Sequence, residues 1–236
     1  MRLSAPVYHL KRQARLLSRR ENVPLHQALD RVAVKEGFAN WSLLAAKAAE
    51  AAPASALLAR LIPGDMVLVA ARPGLGKTLM SLELAVAAMK QGSRAVFFTL
   101  EYMHPDILDR FRDIGIDPAD FNHLFDFDNS DAISASYIVE RLRSAPRGTL
   151  AVIDYLQLLD QKRENPELMV QIRALRSFAR ERGLVLVFIS QVDRSYDSSG
   201  RPFPDIGDIR LPNPLDMSLF DKACFLNKGE IRFQAT

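Results

Sequence analysis

Two patterns of apolar and polar positions divide the chain near residue 60. Before that point, apolar residues recur at helical spacing among basic ones, which predicts three short helices, the second beginning near Pro24 and ending at Gly37. After it, continuous apolar runs alternate with helical patterns, at residues 66–71, 95–100, 150–156 and 184–190. Continuous runs are typical of strands covered on both faces, and strands separated by helices favour parallel pairing.

The predicted fold class is therefore α/β: a mainly parallel sheet with helices on both faces, preceded by a small all-helical unit. We expect the helical unit at residues 1–52, with a core around Phe38, Trp41 and Leu44, and the α/β domain at residues 58–236. The intervening Ala-Ala-Pro-Ala-Ser of residues 51–55 has the look of a linker, and it is also short and apolar enough to be packed. Weaker strand candidates lie at residues 223–227 and 230–234. Two further helical patterns lie at residues 106–115 and 132–144, with residues 124–127 between them.

Composition and charge narrow the class of protein. The 236 residues are 48% hydrophobic and 25% charged, which is ordinary for a globular protein, and the net charge of +3 permits an anionic partner without requiring one. The single cysteine, Cys224, excludes an intrachain disulfide, and its apolar neighbours predict a buried thiol. The basic N-terminus lacks the apolar run of a secretory signal, and no stretch is long enough to span a membrane. We expect a cytoplasmic protein without membrane contact.

A glycine-rich segment follows the first apolar run. It consists of Ala71, Arg72, Pro73, Gly74, Leu75, Gly76, Lys77 and Thr78, with Leu79 opening a helical pattern. A strand, such a loop and a helix in this order indicate a phosphate-binding loop, although the consensus begins with glycine rather than alanine. Its backbone N–H groups would surround phosphate oxygens, Lys77 would bridge the β- and γ-phosphates, and Thr78 would ligate Mg²⁺. The sequence thus predicts ATP and Mg²⁺ as ligands.

Three polar residues end later apolar runs, where ligands bind in open parallel sheets. Asp154 is the candidate for a second Mg²⁺ ligand. Glu101 could deprotonate an attacking water, or it could serve as an acidic residue at a helix N-terminus. Gln191 could hydrogen-bond the γ-phosphate or its water, or it could simply begin a loop.

Four segments in order resemble the DnaB-type replicative helicases. Residues 71–78 resemble their phosphate loop, which also commonly begins with alanine. Residues 97–101, Phe-Phe-Thr-Leu-Glu, resemble their second motif, which ends in the catalytic glutamate. Residues 152–159, Val-Ile-Asp-Tyr-Leu-Gln-Leu-Leu, are very similar to their Walker B strand. Residues 188–195, Phe-Ile-Ser-Gln-Val-Asp-Arg-Ser, resemble their sensor strand.

This resemblance covers about residues 60–230 and implies a RecA-like core with Glu101 as base and Gln191 as sensor. Two departures accompany it. The family's last strands carry Lys-x-Arg-Asn-Gly, whose basic residues reach a neighbouring subunit's phosphate; here Lys228 and Arg232 are the candidates, shortly before Thr236. A small basic helical unit stands where those helicases have a larger domain that contacts primase.

The resemblance also implies where single-stranded DNA would bind. In RecA-like motors the loops after the third and fourth core strands hold the strand, and the basic candidates there are Lys162, Arg163, Arg194, Arg201 and Arg210. Acidic residues in the second loop leave a solvated loop as the alternative. The basic residues of the first helix are interpreted as spread around it, which favours a solvated face; they are Lys11, Arg12, Arg15, Arg19 and Arg20.

Three functions stay open at this point. The first is an ATPase motor that binds ATP and ADP, acts on single-stranded DNA and forms a homo-oligomer, with a hexamer as one form. The second is a nucleotide-gated regulatory or binding module that acts on a protein partner and has little ATPase or unwinding activity. The third is a small-molecule kinase, which is disfavoured because the sequence shows no arginine-rich lid segment.

Overall fold

The computed structural model describes residues 3–5, 7–50, 53–121, 123–160, 165–211, 213–227 and 230–235. It begins with helices α1 (Val7–Glu21), α2 (Leu25–Lys35) and α3 (Trp41–Glu50). Pro24 precedes α2, where a fixed φ suits a helix start, and Gly37 follows it with φ of 84°. These helices share a small core that contains the fully buried Leu44 and, at its margin, Phe38 and Trp41, as predicted. The division at residues 1–52 and 58–236 stays a prediction.

In the second half of the segment at residues 51–55, the linker interpretation is wrong and the alternative, a packed segment, is confirmed. Residues 53–55 belong to helix α4 (Pro53–Leu58), whose Ala54 and Leu57 are buried against the α/β core. Proline at the first position of a helix costs no hydrogen bond, and the alanines and leucines that follow favour helix. Residues 51 and 52 lie outside the described residues.

Among the described residues, one sheet of seven strands forms the centre of the molecule, in the order β3-β2-β4-β5-β1-β6-β7. All neighbouring strands are parallel except β6 and β7, which pair antiparallel. The strands are β1 (Met66–Ala71), β2 (Ala95–Thr99), β3 (Phe125–Asp128), β4 (Leu150–Asp154), β5 (Val185–Gln191), β6 (Lys222–Asn227) and β7 (Glu230–Ala235). The predicted mainly parallel α/β fold is therefore confirmed.

Four longer helices connect the strands. They are α5 (Lys77–Lys90), α6 (His104–Asp113), α7 (Ala135–Leu142) and α8 (Leu168–Arg182). The pattern at residues 132–144 yields a shorter helix because Ser134 caps it: the Ser134 hydroxyl accepts a hydrogen bond from the Tyr137 N–H at 3.3 Å. No helix in the described ranges has the length and apolar character needed to cross a membrane.

The sheet is buried on both faces, which explains the continuous apolar runs. In β1, Met66, Leu68 and Ala70 belong to one core, which includes residues of α7 and α8. The alternate residues Val67 and Val69 belong to the other core, with residues of α4, α5 and α6. Because successive side chains point to opposite faces, a strand covered on both sides must be apolar throughout.

Candidate functional site

The glycine-rich segment forms a tight loop between β1 and α5. Gly74 and Gly76 have φ of 78° and 87°, and Gly76 immediately precedes the first residue of α5, Lys77. A Cβ atom at either glycine would meet nothing within 4 Å, so glycine is required there by the left-handed backbone and not by crowding. The loop and the first turn of α5 leave backbone N–H groups free for an anion.

Asp154 meets the first turn of α5 from the neighbouring part of the sheet. It is the last residue of β4, is 1% exposed, and accepts a hydrogen bond from the Thr78 hydroxyl at 3.5 Å. Burial raises the pKa of Asp154 to about 7, and the negative charge of Glu101 adds to that shift. Lys77, the Thr78 hydrogen bond and Arg110 act in the opposite direction. The arrangement is a buried carboxylate that a cation would stabilise in its charged form.

Lys77 is the positive counterpart of these carboxylates. Burial lowers the pKa of Lys77, while the charges of Asp154 and Glu101 raise it and that of Arg72 lowers it. The charge of Glu101 thus acts on both Lys77 and Asp154, and the charges of Lys77 and Asp154 act on each other. This brings three of the residues predicted from separate motifs into one electrostatic environment.

Glu101 lies two residues beyond the end of β2. Its N–H donates to the Thr99 hydroxyl at 3.0 Å, and Thr99 pairs in register with Asp154. The acidic residue in the first turn of α6 is Asp106, which accepts from the Met103 N–H at 2.9 Å. Glu101 therefore precedes the helix and is exposed toward the end of the sheet where the phosphate-binding loop begins.

Gln191 is the last residue of β5 and lies opposite Ala71 in register. Its carbonyl accepts from the Arg210 N–H at 2.8 Å, and the next residue, Val192, donates its N–H to the Ala71 carbonyl at 3.0 Å. The Gln191 side chain is partly buried. The sheet thus holds Gln191 beside the start of the phosphate-binding loop.

The residues present fit a magnesium ion. The described residues contain no group of three or more His, Cys, Asp or Glu side chains suited to a metal. A magnesium ion in a nucleotide site needs only one or two protein ligands, because phosphates and water supply the others. The Thr78 hydroxyl and the Asp154 carboxylate provide such a pair of oxygen donors.

Two arginines near the site, Arg72 and Arg110, have partners that the sequence did not predict. Arg72 donates through Nε and Nη2 to Asp197, at 3.0 and 2.9 Å, and through Nη1 to the Val192 carbonyl at 3.0 Å. Arg110 of α6 stacks over the Tyr102 ring at 4.3 Å and acts on the Asp154 carboxyl. Neither set of contacts could be predicted from the sequence, because each forms only once the sheet has folded.

The predicted nucleic-acid residues have different surroundings. Lys162 and Arg163 lie outside the described residues, as does Lys228. Arg194 and Arg210 are exposed, whereas Arg201 forms ion pairs with Asp205 and Asp208. The segment between β5 and β6 contains short 3₁₀ helices at Arg194–Ser198, Ile206–Asp208 and Met217–Leu219. Among the described residues of this segment, Arg194 and Arg210 have the more accessible charges.

The comparison with protein families agrees with this geometry. The family model described as "ATPase: KaiC" matches residues 55–204, more than half of the chain and the range that holds the phosphate-binding loop, Glu101, Asp154 and Gln191. The chain belongs to the KaiC family of ATPases. Membership implies nucleotide binding by a P-loop ATPase domain, and the expected likeness to DnaB-type helicases is confirmed by the relatives of this KaiC-type chain.

Two curated relatives of this KaiC-type ATPase are helicases. The replicative DNA helicase DnaB of Leifsonia xyli is 26% identical over 181 residues, covering 64% of this chain and 40% of the helicase. A probable plasmid replicative DNA helicase of Chlamydia trachomatis is 26% identical over 201 residues, covering 72% of this chain and 44% of the helicase. The chain therefore spans less than half the length of these two relatives.

A solved structure shows the same fold for the KaiC-type domain. A DnaB-like replicative helicase, whose structure was described together with its interactions with primase, superposes with a TM-score of 0.61 at 19% identity. The match covers 93% of this chain and 66% of that helicase. At this identity the likeness concerns the fold alone. The mainly parallel sheet and its helices thus have the RecA-like fold that the sequence motifs predict.

Proposed function

We propose that this protein binds and hydrolyses ATP with Mg²⁺ and acts on single-stranded DNA, in the manner of the motor domain of a DnaB-type helicase. The observation that carries the proposal is the convergence of Lys77, Thr78, Asp154 and Glu101 at one end of the sheet, where the Thr78 hydroxyl donates to the buried Asp154. Open parallel sheets bind their ligands at this end.

The triphosphate would lie against the loop of residues 71–78 and the first turn of α5. The N–H groups freed by Gly74 and Gly76 would donate to phosphate oxygens, and the helix N-terminus would add its positive field. The ammonium of Lys77 would contact the β- and γ-phosphates. When bound, a magnesium ion held by Thr78 and Asp154 would neutralise part of the phosphate charge.

Hydrolysis would depend on the two polar residues that follow β2 and end β5. Glu101 is exposed beside the phosphate-binding loop and has the acceptor oxygens needed to take a proton from a water that attacks the γ-phosphorus. Gln191 lies opposite Ala71, so its amide can hydrogen-bond that water or the γ-phosphate. The bond to the leaving phosphate oxygen of ADP breaks as the water oxygen bonds to phosphorus.

DNA contact would come from exposed arginines after β5. Arg194 is three residues beyond Gln191, and Arg210 is bound to Gln191 through its N–H. Phosphate contacts by these side chains would bind a single strand without reading its sequence. Because both flank Gln191, the presence of DNA could alter how Gln191 meets the nucleotide.

A nucleotide-gated regulatory module is the second candidate. It is favoured by ion pairs that neutralise two arginines near the site. Asp205 and Asp208 pair with Arg201, and Asp197 pairs with Arg72. Fewer unpaired positive charges are therefore left to bind DNA. In that case ATP binding would change the segment after β5, and a protein partner would recognise the change.

Steady-state ATPase measurement with Mg²⁺, with and without single-stranded DNA, tests the two functions. Light scattering on the same samples gives the oligomeric state, since RecA-like sites are expected between subunits. Strong stimulation by DNA in an oligomer supports the motor. Tight ATP binding with little turnover, indifferent to DNA, supports the regulatory module and contradicts the motor.

A further inference from the structure

A cleft of about 640 Å³ lies between α1 and α6, and we call it the α1–α6 cleft. Helices α1 and α6 form its two walls, and both contribute basic side chains to the lining. These side chains are His9, Lys11, Arg12, Arg15, Arg110 and Arg112. Asp113 is the acidic residue in the lining. The cleft is separate from the segment after β5 that carries the DNA contacts proposed above.

The basic wall on α1 corrects the interpretation that these residues spread around the helix. At about 100° per residue, positions 11, 12, 15 and 19 fall within an arc of about 100°, and Arg20 lies well outside it. The buried Leu10 and Ala14 occupy the adjoining face, which packs in the small helical core. Packing of that face therefore directs Lys11, Arg12 and Arg15 together toward α6.

The charges in the cleft are only partly neutralised. Lys11 donates to the Gly115 carbonyl at 3.1 Å, which ties α1 to the end of α6. Arg112 pairs with Asp109 at 2.6 Å. Arg12 and Arg15 are exposed, and in the described ranges of the chain neither has a hydrogen bond or an ion pair. The cleft thus has a surplus of positive charge, centred on these two guanidinium groups.

The cleft adjoins the nucleotide site. Leu79, the residue after Thr78 in α5, contributes to its lining. Arg110 lines the cleft from α6, and its charge acts on Asp154 on the other side. A ligand in the cleft would therefore lie beside the first turn of the phosphate-binding helix.

We propose that the α1–α6 cleft binds the phosphodiester backbone of single-stranded nucleic acid. On α1, Lys11, Arg12 and Arg15 line the cleft, and Arg19 extends the same side of the helix, so that the run covers nine residues, about 12 Å. The opposite wall adds Arg110 and Arg112. Such an extended run of guanidinium and ammonium groups suits repeated phosphates and reads no base sequence. The inference rests on the proposed action on single-stranded DNA and adds a second contact to it.

The test measures binding of a fluorescently labelled oligothymidylate to the full chain by anisotropy, over a range of salt concentrations, with a non-hydrolysable ATP analogue present. The cleft variant is Arg12→Gln with Arg15→Gln. The control variant is Arg20→Gln with Arg31→Gln, which removes the same charge from the helical unit at two exposed residues that pair with Glu21. A third variant, Arg194→Gln with Arg210→Gln, tests the segment after β5.

We expect the cleft variant to bind several-fold more weakly and to lower the slope of log K against log salt by about 1.4, or about 0.7 for each lost phosphate contact. The control should keep the slope of the unmodified chain. If the cleft and control variants lose affinity equally, the effect depends only on overall charge, and the proposal is overturned. Equal melting temperatures show that the variants are folded.

The other outcomes separate this inference from the proposed function. If the cleft variant binds normally while the Arg194 and Arg210 variant weakens, the cleft inference fails and the proposed DNA contacts stand. If the reverse holds, the cleft binds the strand and the proposed contacts after β5 fail. Displacement of the oligonucleotide by inorganic tripolyphosphate at equal phosphate concentration would assign the cleft to a small polyphosphate and overturn the proposal.

Discussion

Arg72 of the phosphate-binding loop and Asp197, which is 125 residues later in the chain, form a bidentate ion pair. The Arg72 guanidinium also donates to the Val192 carbonyl at 3.0 Å. Arg72 thus joins the loop that would hold phosphate to the segment that follows Gln191. A shift of either segment must be transmitted to the other or must break this pair.

We expect Arg72→Lys to disrupt this connection, because an ammonium group cannot make the paired hydrogen bonds of a guanidinium. Asp197 is 57% exposed, so the loss of stability should be small, about 0–1 kcal/mol. Hydrogen exchange should nevertheless rise in residues 72–76 and 192–198. The control is Arg112→Lys at the exposed Arg112–Asp109 pair on α6. Unchanged exchange in residues 72–76 would show that the pair does not restrain the loop.

The connection between Arg72 and Asp197 marks the limit of what the sequence could predict. The four motif strands were predictable, since both faces of the sheet are buried and each run is apolar throughout. The position of β1 between β5 and β6 was not, because strand order depends on contacts between distant residues. The same reason hid the partners of Arg72 and the position of α6 opposite Arg12 and Arg15.

Lys77→Ala should abolish ATP binding or hydrolysis. Removal of the ammonium leaves the charges of Asp154 and Glu101 without their counterpart and the phosphates without their cation. Isothermal titration with ATP and a steady-state rate measure the two effects. Lys90→Ala, at the exposed C-terminal end of the same helix, serves as the control and should behave as the unmodified protein. Unchanged ATP affinity and rate in the Lys77 variant would refute the proposed nucleotide site.

Glu101→Gln should keep ATP binding and lose hydrolysis. An amide retains nearly the size of the carboxylate and one acceptor oxygen but cannot accept a proton from water, so kcat should fall about 10²–10⁴-fold. The ATP dissociation constant should change little, because Glu101 precedes α6 and lies outside the phosphate-binding loop. Single-turnover kinetics and ATP titration measure the two quantities. Loss of binding with normal turnover at saturation would instead make Glu101 a structural residue.

Glu83 of α5 gives a prediction about stability that is independent of catalysis. Burial raises the pKa of its carboxyl above the usual value. The unfolded chain therefore releases this proton at lower pH than the folded chain, and folding stability falls as pH rises through that window. We expect Glu83→Gln to raise the melting temperature near pH 7, because the amide avoids burial of a negative charge. The advantage should vanish below about pH 4, where the carboxyl is protonated in both states.

Thermal unfolding of both proteins between pH 4 and pH 8 measures this difference, and Glu181→Gln provides the matched control. Glu181 lies in the last turn of α8 and is exposed, so its substitution should alter the melting temperature little at any pH in that range. If the melting temperatures of Glu83→Gln and the unmodified chain differ by the same amount at every pH, the change is due to packing and not to the charge of Glu83. A variant that melts lower at pH 7 would mean that the Glu83 carboxylate stabilises α5 despite its burial.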